Sequence, residues 1–202
     1  MGAVTEGGGT DRVRIRARIE QAALELFACS GFEQVTIDDI AEAAGISRRT
    51  FFRYFATKAD AVWGEFDAHV LRLADLLARA APGEPVLASI CAAYVAVNDY
   101  EAAELPLLRD RMRLILTEPA LQAHSQLRYA AVDDVVARHV AGRIGGSPDA
   151  LVPRLVATSA RAAATTAFGH WLAEEGRASL AACLQAAFAE LAGGFPSVRG
   201  AG

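Results

Sequence analysis

Between Thr36 and Phe55 two short apolar-periodic runs flank the turn Gly45-Ile46-Ser47, and this stretch constrains the fold more than any other. Thr36 stands three residues before Asp39 and just ahead of Ile37, Ile40, Ala41 and Ala44, the spacing of a reciprocal cap that opens a short helix, which Gly45 ends. Ser47 can cap the next run, where Phe51 and Phe55 share one face at i, i+4 and Arg48, Arg49, Arg53 and Tyr54 are left outside. Two short helices about a glycine-containing turn make a helix-turn-helix. A helix precedes them: from Arg12 to Ser30 apolar residues recur at Ile15, Ile19, Ala22, Ala23, Leu26 and Phe27, with Gly31 as the stop.

The rest of the chain reads as helices too. One opens near Thr57-Lys58 and runs through Val62, Phe66, Val70, Leu73 and Leu77 until Ala81-Pro82-Gly83. Further segments fall at about 84–98, 104–117, 119–143, 148–175 and 177–193, punctuated by Pro106, Pro119 and Gly145-Gly146. With 202 residues, 53% of them hydrophobic, and strand-favouring runs nearly absent, the expected class is all-α. An N-terminal three-helix helix-turn-helix domain precedes a C-terminal helical bundle, about nine helices in all. The expected organisation is a glycine-rich disordered tail at 1–10, the helix-turn-helix at 11–57, the bundle at 58–195 and a flexible tail at 196–202.

Net charge is −4, so any case for nucleic acid rests on local charge. From Ser47 to Lys58 there are three arginines and the chain's one lysine, with no acid among them. Arg12, Arg14, Arg16 and Arg18, set against Asp11, form a second basic stretch near the same end. Cys29, Cys91 and Cys183 are far apart in apolar contexts, which predicts reduced, buried thiols and a cytoplasmic protein. The first ten residues lack the pattern of a signal peptide, and no apolar run is long enough to span a bilayer. The histidines (His69, His124, His139, His170) show no paired i, i+4 spacing and no cysteine beside them, so no metal site is expected. No nucleophile with its base and no phosphate-binding glycine loop is found either, so neither a catalytic residue nor a cofactor is expected.

The stretch Val35-Thr36-Ile37-Asp38-Asp39-Ile40-Ala41-Glu42-Ala43-Ala44-Gly45-Ile46-Ser47, followed by Arg48-Arg49-Thr50-Phe51-Phe52-Arg53-Tyr54-Phe55 and Thr57-Lys58, resembles the DNA-binding signature of the TetR family. A narrower resemblance, to regulators of the mycofactocin-associated type, is carried by the run from Arg48 to Phe55, by Trp63-Gly64-Glu65-Phe66-Asp67 and by Pro119-Ala120-Leu121-Gln122-Ala123-His124-Ser125. The first resemblance implies a ligand-responsive, sequence-specific repressor, homodimeric through its last two helices, on pseudo-palindromic operator DNA of the nucleoid. The second implies an acyl-coenzyme A-type effector, long and partly apolar, as the ligand that releases the DNA. A regulator of the same fold acting as an activator, or answering another apolar effector or a protein partner, is the alternative.

A recognition helix presents donors to base edges from its first turn and anchors to phosphates at its margins. Arg48 and Arg49 suit the first task, because an arginine fork can take guanine O6 and N7 together. Thr36, Ser47, Thr50, Arg53, Tyr54 and Lys58 are candidates at the margins, Lys58 at a helix N-terminus that favours an anion. Phe52 stands where the family often has tyrosine, so it would meet a thymine methyl or pack sideways.

The bundle offers candidate effector contacts: Trp63 and Phe66, Tyr94 and Asn98, Met112 and Arg113, then His124 and Tyr129. Arg109 and Arg113, four apart, could receive a phosphate or carboxylate; a salt-bridged surface face beside Glu104, Asp110 and Glu118 explains them equally well. For His124 a surface or satisfied core position, and for Trp63 plain core packing, are the competing readings.

Overall fold

The computed structural model describes residues 7–175 and 177–195. Ten α-helices and no strand occur among the described residues: α1 (Gly7–Ser30), α2 (Ile37–Ala43), α3 (Arg48–Tyr54), α4 (Lys58–Trp63), α5 (Phe66–Ala78), α6 (Val86–Val97), α7 (Leu105–Thr117), α8 (Pro119–Ile144), α9 (Leu151–Ala173) and α10 (Leu180–Gly193). The all-helical expectation holds. Helix α1 begins at Gly7, inside the segment expected as tail, while residues 1–6 and the tail at 196–202 lie outside the described residues.

The count is ten rather than nine because the segment read as one helix from Thr57 to Ala81 is two, α4 and α5. The break is Gly64, at φ 56° and ψ −133°, a backbone region that L side chains rarely adopt. A Cβ there would lie 2.7 Å from Glu20 Oε2 and 2.8 Å from Arg111 Nη2. The apolar periodicity of Val62, Phe66 and Val70 continues across the break, which is why periodicity alone missed it.

The chain divides into two compact units, Met1–Gly64 with Ala103–Gln122 and Glu65–Ala102 with Ala123–Gly202. The first unit runs to Gly64 and includes α7. Its core is Ile19, Ala23, Leu24 and Phe27 of α1, Ile40 of α2, Phe51 and Phe55 at α3, Ala61 and Val62 of α4, and Leu108, Met112 and Ile115 of α7. Glu20 accepts from Arg16 Nε at 3.1 Å and from Arg111 Nη2 at 3.0 Å, and Arg16 Nη2 donates to the Gly64 carbonyl at 2.6 Å. The Glu20 side chain is only 9% exposed, so two guanidiniums compensate one nearly buried carboxylate.

In the second unit α10 packs on α9 and α6, and α5 packs on α6. Trp171, Leu184, Ile90, Leu73 and Val136 are its innermost side chains. Helix α8 is tied to α9 by Arg161 to Asp133 and by Arg154 to Asp134, and to the loop before α6 by Arg143, which donates to the Pro82 carbonyl at 2.7 Å and to that of Glu84. Cys183 is buried, but Cys29 is exposed, because the end of α1 where it lies leaves that face uncovered; burial of all three thiols is thus corrected.

Gly64→Ala is expected to cost about 2 kcal/mol from backbone strain alone, with displacement of the Glu20 and Arg111 side chains in addition. Thermal unfolding should show the midpoint fall by roughly 4–8 °C.

Candidate functional site

Helix α3 is seven residues long, so its placement depends on capping and on the buried Phe51 rather than on intrinsic helicity. Ser47 Oγ accepts from the Thr50 amide at 3.1 Å and lies 2.9 Å from Thr50 Oγ1. Gly45, at φ 60°, ends α2, and the Ile46 amide donates to the Ala41 carbonyl at 2.9 Å. Thr36 and Asp39 form the reciprocal cap of α2: Asp39 Oδ2 accepts from the Thr36 amide at 2.8 Å and the Asp39 amide donates to Thr36 Oγ1 at 3.2 Å. The Thr36 amide and, at 2.7 Å, the Thr36 hydroxyl both donate to the Asp39 carboxyl and hold it below its ordinary pKa. Such a cap contributes about 1 kcal/mol.

Around this frame Arg48, Arg49, Phe52 and Arg53 are exposed, and Thr50 and Tyr54 are half-buried. Arg49 makes no ion pair among the described residues. Arg48 Nη1 pairs with Asp38 Oδ2 of α2 at 2.8 Å, both side chains more than half exposed, and its guanidinium stands 5.4 Å over the Phe52 ring. An exposed pair of this kind is worth at most about 1 kcal/mol, little against exchange of carboxylate for a base edge or phosphate. Arg53 lies 5.2 Å over the Tyr54 ring, which stiffens both side chains at the C-terminal margin of α3.

Two basic residues are arranged otherwise than the sequence suggests. Lys58 Nζ donates to the carbonyls of Phe32, Glu33 and Val35 at 2.7, 3.2 and 3.0 Å, so its ammonium caps the loop between α1 and α2. Arg16 turns inward to Glu20 and Gly64, with its guanidinium 4.8 Å over the Phe55 ring. Asp38, an acid on the same face as Arg48, was not singled out from sequence; its position two residues after the cap marks it as first-turn and exposed.

The candidate effector contacts divide between the two units. Trp63, Arg109, Met112 and Arg113 belong to the first and Phe66, Tyr94, Asn98, His124 and Tyr129 to the second. Trp63 and Met112 are buried, Arg109 is half-buried, and Arg113 is exposed in an ion pair with Asp110 at 3.3 Å. In the second unit Phe66 meets Tyr129 edge-on with ring centroids 6.1 Å apart, and Tyr94 meets Phe188 at 5.3 Å. Asn98 is buried, its Nδ2 donating to the Tyr94 carbonyl at 2.8 Å; His124 is half-buried.

Asp133 and Arg161 complete this cluster and were missed from sequence. Arg161 Nε donates to both Asp133 oxygens at 3.0 and 3.1 Å, and the guanidinium stands 5.9 Å from the Tyr129 ring. Their signal lies in the sequence: Asp133, with Asp134 after it, interrupts the valines at 132, 135 and 136, and Arg161 stands among alanines at 160, 162, 163 and 164. Burial pushes the Tyr129 hydroxyl up to about 12 and raises that of Tyr94 further, with the Asp133 charge adding to the latter. Burial, reinforced by the Arg72 charge, depresses His69 to about 4, so its ring is neutral where it stacks on Phe66 at 6.3 Å.

Residues 19–62 match the family profile described as bacterial regulatory proteins, tetR family, and residues 84–196 match the MftR C-terminal domain. The protein named mycofactocin biosynthesis transcriptional regulator MftR, of Mycobacterium tuberculosis, is 42% identical over 170 residues, 84% of this chain and 85% of its own length. The HTH-type transcriptional regulator TcmR of Streptomyces glaucescens is 32% identical over 166 residues, 78% of this chain and 73% of its own. Among solved structures, Thermus thermophilus FadR in complex with lauroyl-CoA shares the fold at a TM-score of 0.58 and 23% identity, covering 88% of this chain and 93% of the other. The matched families and both relatives are regulators, not enzymes.

If Arg49 reads a base edge, Arg49→Ala should lose about 1–3 kcal/mol of discrimination at one operator position per half-site. Arg53→Ala should instead weaken binding to all sequences alike and lower the salt slope by about one. Gel shifts on an operator-substitution series separate the two; equal loss at every position on Arg49→Ala would contradict its role.

Proposed function

We propose, since the chain belongs to the TetR family of bacterial transcriptional regulators, that it is a homodimeric repressor which binds a pseudo-palindromic operator through α3 and leaves it when a long-chain acyl-coenzyme A occupies its bundle. The observation that carries the DNA-binding half is the doubly capped helix-turn-helix with Arg48, Arg49, Phe52 and Arg53 all exposed on α3. A seven-residue helix whose outward side chains are mostly cationic or aromatic suits a major groove, where the fork of arginine meets guanine and an aromatic edge meets a thymine methyl. Thr36, Ser47, Thr50 and Tyr54 then serve the margins. Lys58 adds charge near the phosphates while holding the loop before α2.

The effector half is supported by the ligand of one solved fold neighbour and by the second unit's composition. The fold neighbour from Thermus thermophilus was solved with lauroyl-CoA, and apolar and aromatic side chains in α5, α6, α8 and α10 surround a few polar groups, the usual make-up of a small-molecule site. Binding shifts the dimer toward a population in which the two recognition helices no longer match successive major grooves. No covalent chemistry on the ligand is involved.

The dimer is supported by the exposed faces of α9 and α10. Thr158, Ala162, Thr166 and Ala173 on α9, and Ala182, Ala186, Ala189 and Gly193 on α10, are exposed small residues that let helices approach closely, and Leu151, Val152 and Leu155 extend the first stripe with 80, 51 and 60% of their surface exposed. Paired across a two-fold axis they form one isologous interface. No helix of the described residues is long and apolar enough to cross a membrane, in keeping with a cytoplasmic, nucleoid-associated protein.

Gel shift of the purified protein on its best genomic site, with and without a long-chain acyl-coenzyme A, tests the reading. Release at micromolar thioester is expected; a shift indifferent to every chain length would discard this effector.

A further inference from the structure

Tyr94 is 6% exposed, yet its hydroxyl has no hydrogen-bond partner among the described residues. A buried hydroxyl left unpaired is destabilising, and a phenylalanine of the same shape would avoid that cost. The ring is held in place by Phe188 of α10, and the backbone beneath it by Asn98, so Tyr94 does not turn outward to find a partner. The charges of Asp133 and Arg161 act on it electrostatically, and the Arg161 guanidinium stands 5.9 Å from the Tyr129 ring in the same cluster. These two residues, 17 and 23% exposed, neutralise each other through Arg161 Nε, so the neighbourhood is polar but carries no net charge.

We propose that the Tyr94 hydroxyl, beside the Asp133–Arg161 pair, is the subsite for an uncharged carbonyl of the effector, selecting an acyl thioester, ester or amide over the corresponding free acid. This rests on the effector reading above. The hydroxyl, neutral and buried, donates; a carbonyl oxygen accepts one such bond without bringing charge. A carboxylate would enter a largely apolar site where the Arg161 guanidinium is already paired, and would bring a second negative charge toward Asp133. Phe66, Tyr129 and Phe188 supply apolar wall for the chain attached to that carbonyl.

Calorimetric titration of the full-length dimer with dodecanoyl-N-acetylcysteamine, methyl dodecanoate and dodecanoate tests this. Both neutral ligands should bind at least about tenfold tighter than the acid, and Tyr94→Phe should lose about tenfold for them, leave dodecanoate unchanged and keep or raise the thermal midpoint. Asp133→Asn, which leaves Arg161 unpaired, should reverse the preference toward dodecanoate. Equal or tighter binding of the acid to the unaltered protein, or full affinity of Tyr94→Phe for the neutral ligands, overturns the subsite while leaving the effector reading standing. Failure of all three ligands and of acyl-coenzyme A thioesters of longer chain to bind overturns both.

Discussion

The first unit depends on one carboxylate. Glu20 lies on the buried side of α1 and binds Arg16 from its own helix and Arg111 from α7, while Arg16 also holds the carbonyl of Gly64 at the end of α4. Three segments far apart in sequence thus meet at one ion cluster, and it is small enough to fit only because position 64 carries no side chain. A pair of this burial is costly to break singly, by about 3 kcal/mol, since the remaining charge is stranded. The cluster accounts for why α7 groups with the helix-turn-helix, and why the helix read as continuous is interrupted where it is.

The interface built on that frame divides its basic residues between fold and surface. The chain is acidic overall, and two of the basic residues near α3, Arg16 and Lys58, hold the fold, Lys58 while keeping its charge near the phosphates. The exposed basic side chains of this unit include Arg48, Arg49 and Arg53 on α3 and Arg12, Arg14 and Arg18 on α1, and of these Arg48 is lightly held by Asp38. Attraction to phosphate is not sequence-selective, so a specific regulator also needs a well-matched site.

How much was legible in the sequence depended on how local the cause was. The caps of Thr36 and Ser47, the turn at Gly45 and the inward Phe51 are set by residues within four positions of one another, and they stand as read. Gly64 was invisible because its reason lies at Glu20 and Arg111, 44 and 47 residues away in the chain. Lys58 and Arg16 were read as basic surface because nothing in their spacing says which carbonyls or carboxylates the fold will bring to them. The pairing of Asp133 with Arg161 is hidden for the same reason, although a charge in an alanine- or valine-rich helix already asks for a partner.

The central claim is that α3 reads a defined DNA sequence. Its most direct test is selection of genomic fragments by the purified full-length protein at physiological salt, with the bound pool sequenced. The account predicts enrichment of a two-fold symmetric site whose half-sites lie one helical turn, or a multiple of one, apart. A bound pool no different from the input would contradict it.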